Sequence, residues 1–157
     1  MSAAVPCRLD AREAGVRILF VQMGGYRVLV VDDHPDTAEV LSVLFHMLGH
    51  EARCALRGRD ALQLAREIDP DLILLDIGLP DITGYEVIRA LRADQRRPTR
   101  YIAAVTGHCD PKDVSRATQA GFDQHILKPV DLGKVRQVLR AADSHYAQRT
   151  APTRPTA

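Results

Sequence analysis

Short apolar runs recur along the chain, each closed by a polar or turn residue and each followed by apolar positions at helical spacing. Asp71-Leu72-Ile73-Leu74-Leu75-Asp76 holds four consecutive apolar residues after Pro70 and stops on a carboxylate. A run of that length between turn residues predicts a strand buried on both faces, as in the middle of a parallel sheet. Arg27-Val28-Leu29-Val30-Val31 is a second such run, and it too stops on carboxylates, Asp32 and Asp33. Glu51 to Leu56 predicts a short strand, Tyr101 to Val105 another that ends at Thr106-Gly107, and His125 to Leu127 a last one that ends at Lys128-Pro129.

Between these runs the period changes. Pro35 suits a first helical turn, and Val40, Leu41, Leu44, Met47 and Leu48 then recur at helical spacing until Gly49 stops them. Asp60 to Ile68 repeats the spacing with Ala61, Leu64 and Ala65, and Pro70 closes it. Tyr85 to Ala93 is predicted helical with Val87, Ile88 and Leu91 inward; Pro111 opens a helix to Ala120 that Gly121 ends; Asp131 caps a last helix carrying Leu132, Val135, Val138 and Leu139. Five strands alternating with five helices predict an α/β fold, a parallel sheet wrapped on both faces with right-handed crossovers. The strand order expected for it is 2-1-3-4-5. Residues 1–25, with one weak apolar cluster from Val16 to Val21 and a Met23-Gly24-Gly25 end, are expected to be a disordered extension. The folded domain is expected over residues 26–143, and residues 144–157, polar and rich in Pro and Thr, are expected to form a solvated tail.

Composition narrows what this domain can do. The 157 residues, 46% hydrophobic and 26% charged, suffice for one globular domain with a core of its own. The formal net charge is +1, and the 18 Arg and 3 Lys are interspersed with acids, so no basic run announces direct nucleic-acid binding. No apolar stretch approaches the roughly 20 residues of a bilayer span, and no signal-peptide core is present. Cys7, Cys54 and Cys109 have no paired spacing, which points to thiols in a reducing compartment and a cytoplasmic location. Cys54 is expected in the core.

The chemistry follows from where the strands end. In the expected topology Asp32, Asp33, Asp76, Thr106 and Lys128 lie on one edge of the sheet, around the switch point between the first and third strands. Three neighbouring carboxylates repel one another and either hold protons or recruit a cation. With oxygen ligands and room for water, Mg²⁺ is the natural occupant. The cation and Lys128 would offset the charge of an incoming phosphoryl group, and a carboxylate at a strand end could attack phosphorus and become an acyl phosphate. Taken singly, Asp32-Asp33 reads as a helix-capping turn, Thr106 as a cap before Pro111, and Gly84 and Gly121 as turn residues. The combination with Asp76 and Lys128 is what argues against chance.

Val30-Val31-Asp32-Asp33, Leu75-Asp76 with Pro80 and Gly84 behind it, Val105-Thr106-Gly107 and Lys128-Pro129 together resemble the receiver domain of bacterial two-component response regulators. The resemblance spans about residues 26–142 and is specific because several motifs appear in order at the right strand ends. It implies a flavodoxin-like (βα)5 three-layer sandwich. It also implies that Asp76 is the phosphoacceptor, that Asp33 binds Mg²⁺ directly with Asp32 assisting through water, and that the Gly78 backbone carbonyl completes the metal shell. Thr106 and Lys128 would contact the phosphoryl oxygens, and the Lys128-Pro129 peptide would be cis. The implied function is a phosphoacceptor switch of a two-component system or phosphorelay, charged by a sensor histidine kinase or histidine phosphotransfer protein. Its output protein would be met by the face built from the fourth helix, fifth strand and fifth helix. No turnover of an external substrate is implied. The Ile77-Gly78-Leu79-Pro80-Asp81 stretch looks most like receivers of hybrid sensor kinases.

Two residues depart from the family pattern. His125 stands where relatives carry Tyr or Phe as a rotating switch residue, and Gly78 stands where many carry a larger side chain that shields the phosphoryl group. His34, His108, Cys109 and His125 are expected near the same edge, but none has a recognised metal spacing and they read as loop residues. Two other functions stay open on sequence: a receiver-like interaction module that is never phosphorylated, and a Mg²⁺-dependent phosphatase with an aspartyl-phosphate intermediate. The second would want an acid-base carboxylate where Gly78 stands.

Overall fold

Three of the five strands are mainly aliphatic runs buried on both faces, so the sheet must sit in the middle of the molecule. The computed structural model describes residues 25–97, 100–108 and 110–150. Its strands are β1 (Arg27–Val31), β2 (Glu51–Ala55), β3 (Leu72–Asp76), β4 (Tyr101–Thr106) and β5 (Gln124–Leu127). They form one parallel sheet in the order β2-β1-β3-β4-β5. The helices are α1 (Pro35–Met47), α2 (Gly58–Ile68), α3 (Gly84–Ala93), α4 (Pro111–Ala120) and α5 (Leu132–Thr150).

Alternation along each strand divides the core in two. Val28, Val30, Leu72, Leu74, Ala103, Val105 and Ile126 pack with α1 and α5, through Ala38, Leu41, Phe45, Val135 and Val138. Leu29, Val31, Ile73, Leu75, Ile102 and Ala104 face α2, α3 and α4, through Ala61, Leu64, Val87, Ile88 and Ala117. All five residues of β3 are buried, and burial of a Leu or Ile side chain contributes about 1.5–3 kcal/mol, so this strand anchors both layers.

Two expectations are corrected. On α1, Val40 and Met47 point outward, 58% and 77% exposed, while Ala38, Leu41 and Phe45 make the inner face. The apolar period of this helix is broader than the face it buries. The second correction concerns the tail, expected from residue 144. The last helix continues to Thr150 because its end has partners under the sheet. Tyr146 packs 5.7 Å from Tyr26 and donates its hydroxyl to the Asp71 carbonyl at 2.5 Å, and the His145 ring meets Tyr101 edge-on at 5.4 Å. The expected N-terminal extension, apart from Gly25, and residues 151–157 lie outside the described residues. Among the described residues no helix is long and apolar enough to cross a membrane.

Candidate functional site

Parallel pairing brings the carboxyl ends of the strands to one edge. Val31 pairs with Leu75 and Asp76 with Val105, so Asp32, Asp76 and Thr106 follow one another across three adjacent strands. Thr106 pairs in turn with Leu127, and the Lys128 N–H donates to the Thr106 carbonyl at 2.8 Å, which sets Lys128 beside them. The Lys128-Pro129 peptide is cis. Lys134 from α5 donates to the carbonyls of Leu127 and Pro129, each at 2.7 Å, and so ties down the turn that carries Lys128.

The side chains converge. The Lys128 ammonium lies 2.7 Å from Asp76 Oδ2 and 2.9 Å from Asp32 Oδ2. Both carboxylates are nearly buried, Asp32 at 2% and Asp76 at 6% exposure, so the ammonium offsets charge that water cannot reach freely. Burial alone would lower the Lys128 pKa, but its hydrogen bonds to Asp76 and Asp32 and their negative charge outweigh that, and the group is held above the ordinary lysine value. The other oxygens are used locally: Asp32 Oδ1 accepts the His34 N–H and Asp76 Oδ1 accepts the Gly78 N–H, both at 2.9 Å.

A residue without a side chain is required behind Asp76. A Cβ on Gly84 would sit 2.7 Å from both the Asp76 carbonyl oxygen and Ile77 Cα, backbone atoms that cannot yield. Gly84 is therefore more than the turn residue its sequence suggests. Thr83 caps α3 behind it, accepting from the Glu86 N–H while the Glu86 carboxylate accepts from the Thr83 N–H.

Asp33 stands on the outer side of Asp32, partly exposed, with His34 Nδ1 3.0 Å from Asp33 Oδ1 and 3.3 Å from Asp32 Oδ1. Ligand atoms of Asp32, Asp33 and His34 all lie within 4.8 Å of one another. His34 has no metal-ligand spacing, so nothing in the order of residues separates it from the other loop histidines. The structure separates it. Cys109 lies outside the described residues. The carboxylate oxygens that Asp32 and Asp33 bring to this group are donors of the kind that fit a hard divalent cation such as Mg²⁺. A cleft of about 490 Å³ opens beside this edge between α1 and the turn after β5, lined by Asp32, Asp36, Thr37, Lys128 and Pro129 among others.

Thr106 ends β4 half-buried, and its Oγ1 accepts the His108 N–H at 3.2 Å. His125 pairs with Ala104 and, next to inward Ile126, falls on the α2–α4 side of the sheet. Its Nε2 is buried and has no hydrogen-bond partner among the described residues. A Tyr or Phe there would carry no buried nitrogen in need of a partner.

Comparison with known proteins identifies the family of the chain. The family model of the response regulator receiver domain matches residues 28–140. The DNA-binding response regulator MtrA of Mycolicibacterium smegmatis is 36% identical over 126 residues, 78% of this chain and 54% of that protein. The dual master transcriptional regulator RpaA of Synechocystis is 32% identical over 74% of this chain and 50% of its own length. The chain thus spans about half the length of these curated relatives. Among solved structures, the chemotaxis protein CheY4 of Vibrio cholerae superposes with a TM-score of 0.72 at 25% identity, over 75% of this chain and 98% of that one. A receiver domain from Methylobacillus flagellatus gives 0.68 at 29% identity, with coverage of 75% and 98%. With the family model matched over residues 28–140 and the strand order in agreement, the chain belongs to the response regulator receiver domain family.

Proposed function

We propose that Asp76 accepts a phosphoryl group from a phosphohistidine on a sensor kinase or phosphotransfer protein, and that the charged form is read by a partner protein. The observation that carries this reading is the single ammonium of Lys128 held between Asp76 Oδ2 and Asp32 Oδ2. Nothing in the packing of a sheet edge calls for two buried carboxylates and a lysine, whereas phosphoryl transfer calls for all three.

Each residue has a part in the step. Asp76, on a strand buried along its whole length, holds a carboxylate oxygen at a fixed position and supplies the nucleophile. As its oxygen bonds to phosphorus, the phosphorus–nitrogen bond of the donor breaks and the imidazole leaves, taking a proton from solvent. Lys128 is free to follow the phosphoryl oxygens from its place on Asp76, and Asp32 keeps it oriented. Asp33, Asp32, Asp76 and the Gly78 carbonyl would hold Mg²⁺, which supplies charge neutralisation for the phosphoryl oxygens. Thr106 would donate its hydroxyl to one of those oxygens, in exchange for its present contact with the His108 N–H. The acyl phosphate carries about −1.5 to −2 of charge where the free carboxylate carried a single one, enough to draw Thr106 and Lys128 toward it and to shift the α4–β5–α5 face, where His125 lies, between two packings. With Gly78 two residues beyond Asp76, no side chain is available to act as the acid-base carboxylate of a phosphatase. Turnover of an external substrate is not expected.

The test is a phosphate-affinity gel after incubation with acetyl phosphate, with and without Mg²⁺. The wild type is expected to give a Mg²⁺-dependent retarded band and Asp76→Asn none. A wild type with no such band overturns the reading in favour of an interaction module.

A further inference from the structure

The segment Ile77–Thr83 has to hold Gly78 beside Asp76, yet Gly78 is exposed and has no side chain with which to anchor itself. Its N–H bond to Asp76 Oδ1 holds Gly78 itself, and the chain just beyond it is braced on a helix that contributes no residue to the site. The N-cap of α2 is Arg57, which makes no side-chain capping bond, so the first N–H groups of that helix lack a local acceptor. Asp81 supplies it from across the chain: the Gly58 N–H donates to Asp81 Oδ1 at 2.8 Å and the Arg59 N–H to Asp81 Oδ2 at 2.9 Å. A carboxylate at a helix N-terminus also has the favourable sign for the helix dipole. Its slight burial would raise the Asp81 pKa, but the backbone N–H bonds from Arg59 and Gly58 outweigh that and hold the carboxyl below the usual range.

The neighbouring side chain is fitted to the same helix. A Cβ on Gly58 would lie 2.5 Å from Ile82 Cγ1 and 2.8 Å from Val87 Cγ2, so the glycine is what lets Ile82 settle against the start of α2. At its near end the segment is tied by the Gly84 N–H to the Ile77 carbonyl at 3.0 Å, and at its far end by the Thr83 capping box. Only Leu79 and Pro80 separate Gly78 from the Asp81 anchor.

We infer that Asp81 is a positioning residue for the phosphoacceptor loop: by capping α2 from 22 and 23 residues away it keeps Gly78 in place beside Asp76, and divalent-ion binding depends on that tie. The inference rests on the phosphoacceptor reading and adds to it a residue that touches neither metal nor phosphate. It also assigns α2 a task, as the fixed body against which the loop is braced.

The test uses the full chain with Mn²⁺ as probe, the free ion being followed by its electron paramagnetic resonance signal and displaced by Mg²⁺. Asp81→Ala is expected to weaken Mn²⁺ binding about tenfold, the low end of what loss of an outer-shell partner costs a metal site. Asp81→Asn keeps one acceptor oxygen and should lose less. Because Asp81→Ala also uncaps a helix, the double variant Arg57→Ser/Asp81→Ala separates the two roles. Arg57 already has extended backbone, φ −138° and ψ 151°, so a serine there can cap α2 locally without restoring the loop's anchor. Thermal stability is expected to recover in the double variant while Mn²⁺ binding stays weak. Wild-type affinity in Asp81→Ala, or affinity that returns together with stability in the double variant, overturns the inference and leaves the phosphoacceptor reading standing. A wild type that binds no divalent ion overturns both.

Discussion

Lys128 places one positive charge against two nearly buried carboxylates, and the three groups are balanced only together. Removing the ammonium leaves Asp32 and Asp76 facing each other in a poorly solvated pocket, the situation in which breaking a buried pair costs about 3–5 kcal/mol. The lysine side chain is 27% exposed, so water screens part of that, and Lys128→Met is expected to lose about 2 kcal/mol in urea denaturation at pH 7. The sign of the pH dependence is set by the raised pKa. A cation held above its unfolded value stabilises fully below that value, near 10.5, and the contribution is lost as pH rises through the folded pKa. The gap between wild type and Lys128→Met should therefore be roughly constant from pH 7 to pH 9 and close only at higher alkalinity. Added Mg²⁺ should narrow it at pH 7, because a cation shared by the same carboxylates replaces the missing charge.

At the scale of elements, β3 and α3 are fitted to each other through Gly84, and two effects of opposite sign compete when it is replaced. Alanine in a helix interior is favoured over glycine by about 1 kcal/mol, and less than that at a first helical position. Against this stands a Cβ 2.7 Å from backbone atoms of Asp76 and Ile77, where overpacking typically costs about 1–3 kcal/mol. Gly84→Ala is thus expected to be destabilising by about 1–2 kcal/mol and to slow acetyl phosphate labelling of Asp76, because relief of the clash moves the end of β3 that carries this carboxylate. Neutral stability with unchanged labelling would show that the strand end yields freely. The elements themselves were legible because strand and helix periods are local: Leu72 to Leu75 could only be a doubly buried strand, and Gly121, at φ 102°, stops α4 where its sequence says it must. What the sequence could not disclose is set by contacts between distant segments. The α5 extension depends on Tyr146 reaching Asp71, 75 residues away, and the cap of α2 depends on Asp81 rather than on any residue near Arg57.

Across the whole molecule, β3 follows one aspartate and ends on another, and the two stand at opposite edges of the sheet. Asp76, at the carboxyl edge, holds its charge against the Lys128 ammonium and is the proposed phosphoacceptor. Asp71, just before the strand at the other edge, spends its charge on the fold. It accepts the Arg27 N–H at 2.9 Å, Arg27 Nη2 at 3.1 Å and Arg97 Nη2 at 2.5 Å, while its carbonyl takes the Tyr146 hydroxyl. Strand, loop and last helix thus meet at one residue, at the opposite end of β3 from Asp76. Burial would raise the Asp71 pKa, but the side-chain and backbone bonds from Arg27, its charge and the Arg97 bond outweigh that and lower it from 3.8. A carboxylate depressed in the folded state contributes stability that is present above the unfolded value and lost as pH falls through the folded one. Asp71→Asn keeps an acceptor but not the charge, so it is expected to cost about 2–3 kcal/mol at pH 7, the worth of hydrogen bonds to a charged group. Urea denaturation repeated down to pH 3 should show the cost shrinking once pH falls below 3.8. Acetyl phosphate labelling of Asp76 in the folded variant should match wild type, since the substitution lies at the edge that holds the sheet together and leaves the switch edge as it was. Loss of labelling without loss of stability would mean that the two ends of the strand are coupled.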